Sequence, residues 1–213
     1  MNKNKKGKME IHGYGEDALT LWALKHKLST ILEELNDKSS LSECKALFRP
    51  SFGRRGGEKS AQFGEFDFIL FSKEHLYLGE SKWHRSSENF SNGIFNLREE
   101  QILRHKIFRF YVEEWAFGKK TSWHEFINIA SSKLLAQGIN KPIAPDDSLL
   151  TTNLKTAMNL INQHFEIIPS IRNVLLYLYY GANPHILPQR ADKEFKIVNI
   201  DCSEGLTDNF VLL

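Results

Sequence analysis

Between Tyr14 and Asn36, Leu21, Leu24, Leu28, Ile31, Leu32 and Leu35 recur at three- and four-residue steps, laying one apolar stripe along a predicted helix. Gly13 and Gly15 punctuate its start, and Glu16 and Asp17 fall in its first turn, where the helix dipole favours negative charge. Ser39–Ser42 breaks the pattern, and residues 43–52 (ECKALFRPSF) supply a short first strand. Residues 63–83 (FGEFDFILFSKEHLYLGESKW) then read as two strands joined by a tight polar turn. A polar loop over 86–93 leads into a long helix from Ile94 to Phe117. Further helices are predicted over Trp123–Leu135 and Asp146–Phe165, with Asp146 and Asp147 as caps behind Pro145. The unbroken apolar run 174–180 (VLLYLYY) ends at Gly181, as a strand buried on both faces would, and 196–201 (KIVNID) adds another strand. Helix, three strands, helices and two strands predict an α/β fold with a mixed central sheet flanked by helices. No repeat or linker divides residues 1–213, so one domain is expected.

Composition narrows this picture only a little. A net charge of +2 over 213 residues is too small to argue for nucleic acid by itself, so any such role must rest on local clusters. Two cysteines, Cys44 and Cys202, have no metal or redox spacing and suit a reducing cytoplasm. No apolar run reaches membrane-spanning length and the start lacks a signal-peptide core, so a soluble cytoplasmic protein is expected. Two basic stretches stand out. Residues 1–10 hold Lys3, Lys5, Lys6 and Lys8, either a flexible solubilising tail or an arm that follows a phosphate backbone. Residues 53–64 (GRRGGEKSAQFG) carry Arg54, Arg55 and Lys59 in a loop that is neither a Walker loop nor a dinucleotide fingerprint. It is either a solvated hairpin loop or a clamp on a nucleic-acid backbone.

The chemistry concentrates in 63–83. Strand alternation points Glu65 and Asp67 to one face and Phe66 and Phe68 to the other. Glu80 and Lys82 likewise share a face, opposite Gly79 and Ser81. A hairpin can therefore bring Asp67, Glu80 and Lys82 together. Buried charges need partners or a metal, so such a convergence is either a salt-bridged hairpin or a site.

The spacing Asp67-x12-Glu80-x-Lys82 resembles that of the PD-(D/E)xK nuclease superfamily, with Phe66 where the written motif has proline. The resemblance implies a restriction-endonuclease-like core, with a helical insertion between the catalytic hairpin and the last strands. It implies a metal-dependent endodeoxyribonuclease that hydrolyses phosphodiesters, most readily of double-stranded DNA. Asp67, Glu80 and the backbone carbonyl of Ser81 would hold Mg²⁺, with Mn²⁺ as a substitute. Lys82 would orient or help deprotonate the attacking water. Glu16 would be a further active-site carboxylate if it is more than a first-turn charge, while Glu65 and Gln101 are additional candidates. Arg54, Arg55, Lys59, His84 and Arg104 would contact nucleic acid, although a packing role suits His84 and a solvated helix face suits Arg104. Within the superfamily the chain is similar both to type II restriction enzymes, which dimerise, and to defence effector nucleases of Hachiman-like loci, which work with a helicase. The second likeness rests on Gly15-Glu16 and on Leu78–Lys82. A catalytically silent binding or interaction subunit on the same fold is the rival expectation, its partner docking on the aromatic-rich stretch 94–117.

Overall fold

The computed structural model describes residues 9–53, 59–84, 90–91, 93–118, 122–181, 187–191, 194–208 and 210–213. In chain order its first elements are β1 (His12–Tyr14), α1 (Gly15–His26), α2 (Leu28–Glu34), β2 (Lys45–Phe48), β3 (Ser51–Phe52), β4 (Gly64–Glu65), β5 (Phe68–Phe71) and β6 (His75–Trp83). They are followed by β7 (Phe90–Ser91), β8 (Ile94–Phe95), α3 (Glu99–Tyr111), a π-helical turn over Val112–Ala116, α4 (Trp123–Ala136) and α5 (Leu149–His164). The chain ends with β9 (Ser170–Tyr179), β10 (Arg190–Ala191), β11 (Phe195–Asp201), β12 (Leu206–Thr207) and β13 (Phe210–Leu212).

The fold is α/β. A five-stranded mixed sheet runs in the order β11-β9-β6-β5-β2, with β5 antiparallel to its neighbours and β6, β9 and β11 parallel. Alternation along β6 splits its side chains between two cores. Leu76 and Leu78 enter the core built with α3, α4 and α5, while Tyr77 enters the core built with α1 and α2. β9 reads Val174 to Leu178 as an unbroken buried run because helices cover both faces of the sheet.

Several expectations change in detail. The stripe over 14–36 is carried by two helices broken at Lys27, and Trp22 rather than Leu21 is among the fully buried side chains of the first. Ile94 begins a short strand, and the helix starts only at Glu99. Ser148, not Asp146 or Asp147, caps α5, its hydroxyl accepting from the Thr151 N–H. The strand expected over 63–71 is broken at 66–67, so Phe66 and Phe68 lie in different cores rather than on one face. The break is pinned by the chain at 49–50: the Phe66 N–H donates to the Pro50 carbonyl at 3.2 Å, and the Arg49 N–H donates to the Asp67 carbonyl at 3.0 Å.

Two devices fix the β5–β6 hairpin. Asp37, just beyond α2, accepts from Ser72 Oγ at 2.6 Å, Tyr77 OH at 2.7 Å and the Ser39 N–H at 2.9 Å. Burial works to raise this carboxyl, but the Ser39 hydroxyl, which also donates to it, together with those donors outweighs burial and holds Asp37 well below the usual carboxylate range. At the other end Gly79 stands opposite Phe68, and a Cβ on Gly79 would lie 2.1 Å from the Phe68 ring. The glycine lets that ring cross the sheet.

Candidate active site

Strand β6 outruns its neighbour. β5 pairs with it only as far as Phe68 opposite Gly79, so the last four residues of β6 have an open edge on that side. Odd-numbered residues of β6 turn their backbone groups toward this edge, and even-numbered ones bond to β9. The exposed donors do not go unmet. The Ser81 N–H donates to Asp67 Oδ2 at 2.7 Å, and the Trp83 N–H donates to Glu16 Oε2 at 2.9 Å. Two carboxylates thus stand where the carbonyls of a longer β5 would be.

Glu16 does more than mark a helix start. Its Oε1 accepts from Lys82 Nζ at 3.0 Å, joining α1 to the end of β6. Glu80 points from the sheet to α3 and is 1% exposed. Three side chains on one face of that helix hold it, at the i, i+3 and i+4 positions. Gln101 Nε2 donates to Oε2 at 2.7 Å, Arg104 Nη2 reaches both oxygens at 3.1 and 3.2 Å, and His105 Nε2 lies 3.0 Å from Oε1. Gln101 is oriented for this task because its Oε1 accepts the Arg98 N–H at the start of α3. The other ring nitrogen of His105 meets the Asn173 side chain of β9 at 2.9 Å, so the buried imidazole ties α3 to the sheet through Glu80.

Asp67 shows the electrostatic consequence. Burial first, and the neighbouring charge of Glu80 second, push its carboxyl up to about 7; the Ser81 N–H and the Lys82 ammonium pull the other way, and Glu16 adds a smaller push upward. The Glu80 and Glu16 charges beside Asp67 are of the sign that a cation would offset, although burial is the larger cause of the shift. Asp67 and Glu80 carry hard oxygen donors of the kind a divalent cation takes, and the Ser81 carbonyl, which shares the open edge with the Ser81 N–H, is another. Among the described residues no three His, Cys, Asp or Glu side chains form a metal-ligand cluster. The Asp67, Glu80 and Ser81 oxygens are of the type that Mg²⁺ takes, and Arg104, which spans both Glu80 oxygens, would have to yield one of them to a cation.

Other candidates fall elsewhere. Glu65 is on β4, where its Oε2 accepts from Arg49 Nη2 at 2.9 Å; Arg49 also pairs with Asp17. Lys59 is exposed and lines a hollow with Ser131, Leu135 and Lys141 of the α4 region. His84 is half-buried with its ring 4.7 Å from that of Tyr180. Arg104 turns onto Glu80 instead of presenting a solvated face. Arg54, Arg55 and residues 1–8 of the basic tail lie outside the described residues. Sequence reasoning did not assign His105 to the site: the spacing Gln101–Arg104–His105 marks a single helix face, and only the packing of α3 on β6 turns that face onto Glu80.

Comparison with protein-family models, with curated proteins and with solved structures gave no match in any of the three. Among the described residues no helix is long and apolar enough to cross a membrane.

Proposed function

We propose that the chain is a Mg²⁺-dependent phosphodiesterase acting on nucleic acid, DNA in the first instance, through a PD-(D/E)xK-type site on a restriction-endonuclease-like core. The observation that carries the reading is the meeting of Glu16, Asp67, Glu80 and Lys82 around the open end of β6. The order of elements supports it as well: a helix bearing Glu16, an antiparallel hairpin bearing the motif, then a helix that buttresses the second carboxylate.

The division of labour follows from the contacts. Asp67 and Glu80, with the Ser81 carbonyl, would hold the cation, which when bound supplies a Lewis acid at the scissile phosphate and a more acidic water. Lys82 presents an ammonium that orients the attacking water and offsets charge gathering on the phosphate. Glu16 keeps that ammonium at the end of β6, because its other oxygen is anchored on the Trp83 N–H. Gln101, Arg104 and His105 fix the rotamer of Glu80. Arg104, once released from one oxygen of Glu80, is available to a phosphate. Cleavage of both strands by a homodimer, and control by a helicase partner, belong to the restriction and defence versions of this reading. A methyltransferase gene beside this one would favour the first, a helicase gene the second.

One observation favours a silent binding module instead. The Glu80 oxygens already accept from three side chains, so this carboxylate is satisfied without a metal. Incubation with plasmid, linear duplex, single-stranded DNA and RNA, in Mg²⁺ or Mn²⁺ and in chelator, separates the two. Metal-dependent cleavage that disappears in Lys82→Ala and Asp67→Ala supports the enzyme; a folded protein that cuts nothing, with any partner supplied, removes it.

A further inference from the structure

The residues adjoining the site in sequence are aromatic. Tyr14 immediately precedes Gly15-Glu16, and Trp83 immediately follows Lys82. Tyr14 and Trp83 meet edge to face with centroids 6.1 Å apart, and Tyr14 packs 5.7 Å from Phe210, its cross-strand neighbour in the β1–β13 ribbon. On the far side Trp83 lies 6.2 Å from the Tyr180 ring, and His84 packs against the same tyrosine. The rings therefore form a continuous ledge past the carboxylates. Its outer members are open to solvent, with Tyr14 62% and Phe210 49% exposed.

Strand alternation explains why those two rings project. Gly13 and Val211 turn inward, Val211 into the core under α1, so their neighbours Tyr14 and Phe210 must turn out. The inward-facing Val211 is buried without help from either ring. Large exposed aromatics suit a ligand with flat apolar faces, as nucleic-acid bases have, and Lys82 beside them carries the sign of charge that a phosphate backbone takes. In a duplex those faces are stacked on one another; rings of this kind can engage them only where bases are unpaired.

We propose that the Tyr14–Phe210–Trp83 ledge stacks unpaired bases and delivers a single-stranded segment, such as a frayed end, a flap or an opened stretch, to the carboxylate site. This rests on the phosphodiesterase reading of that site, and it narrows the substrate to nucleic acid that is single-stranded where it is cut. DNA and RNA bases offer the same faces, so the strand's sugar is left to the experiment.

The test measures binding separately from cleavage. In chelator, fluorescence anisotropy of the full chain with labelled oligo-dT, oligo-U and a blunt duplex of equal length should show at least one single strand bound about tenfold tighter than the duplex. Tyr14→Ala and Phe210→Ala should each weaken that binding by about tenfold, Tyr14→Trp should retain it, and Ile167→Ala, which removes a still more exposed apolar side chain elsewhere, should leave it unchanged. Duplex binding as tight as single-strand binding, or alanine variants that bind like the parent, would overturn the proposal. Ledge-dependent binding without cleavage in Mg²⁺ would remove the phosphodiesterase reading and keep the ledge as a single-strand binding surface.

Discussion

Lys82 Nζ lies 3.0 Å from Glu16 Oε1, a contact across 66 residues of chain that seats the first turn of α1 on the last residues of β6. The same carboxylate receives the Trp83 N–H, so its charge and its hydrogen-bonding capacity can be separated by substitution. Glu16→Gln keeps an acceptor for Trp83 and removes the charge facing Lys82. Melting should change little, whereas cleavage should fall by about a hundredfold. Glu16→Ala removes both and should also cost about 1–3 kcal/mol in a denaturant titration.

Asp67 gives the apoprotein a specific dependence on pH. Its carboxyl is raised from 3.8 to about 7 by folding, so the native state prefers the protonated form. That preference stabilises the fold below the unfolded value and is lost as pH rises through about 7. Thermal melts in chelator should therefore show Asp67→Asn gaining on the parent between about pH 4 and pH 7 and levelling off above that. A cation must displace the proton, so the Mg²⁺-induced rise in melting temperature should grow over the same interval.

Asp37 behaves in the opposite sense. Its folded carboxyl is held below the unfolded value, so its contribution is present above about pH 4 and is lost as the solution is acidified below that. Asp37→Ala strands the Ser72 and Tyr77 hydroxyls and should destabilise the protein by about 2–3 kcal/mol at neutral pH, with a much smaller difference in strong acid. Chemical denaturation across pH measures both.

Arg104 separates the enzyme from the silent module. Arg104→Met leaves Glu80 without its guanidinium and should cost about 3 kcal/mol in chelator. If Glu80 is a metal ligand, Mg²⁺ should recover much of that loss, because the cation supplies the missing positive charge. Recovery no greater than in the parent would favour a purely structural Glu80.

Gly79→Ala tests the packing under the motif. Its Cβ would enter the ring of the fully buried Phe68, which has no room to move away. A loss of about 2–3 kcal/mol is expected by denaturant titration, and Phe68→Leu in the same chain should return part of it.

Much of this arrangement was legible in the sequence because it depends on local periodicity. Alternation along β6 gave Glu80 a direction out of the sheet, and the apolar run at 174–180 declared a strand covered on both sides. What escaped was set by contacts distant in sequence. The break at 66–67 depends on bonds from Arg49 and to Pro50, and nothing within 63–71 marks it. The break at Lys27 interrupts a stripe that continues on either side of it. Glu16 was recognisable as a first-turn acid, yet its engagement with Lys82 and Trp83 requires α1 to fold back over the sheet. His105 showed the opposite failure. Its spacing from Gln101 was plain, but only the packing of α3 on β6 gives that spacing a target.

The open edge of β6 has a consequence for the behaviour of the protein in bulk. Unmet backbone donors at a sheet edge invite another chain to add a strand, and proteins discourage this by placing charge there. Asp67 and Glu16 cover the Ser81 and Trp83 donors with carboxylates, so the groups assigned to chemistry also guard the molecule against self-association. Neutralising them removes that guard. Variants at either position are therefore best followed by light scattering as well as by activity, since aggregation and lost catalysis would share one origin.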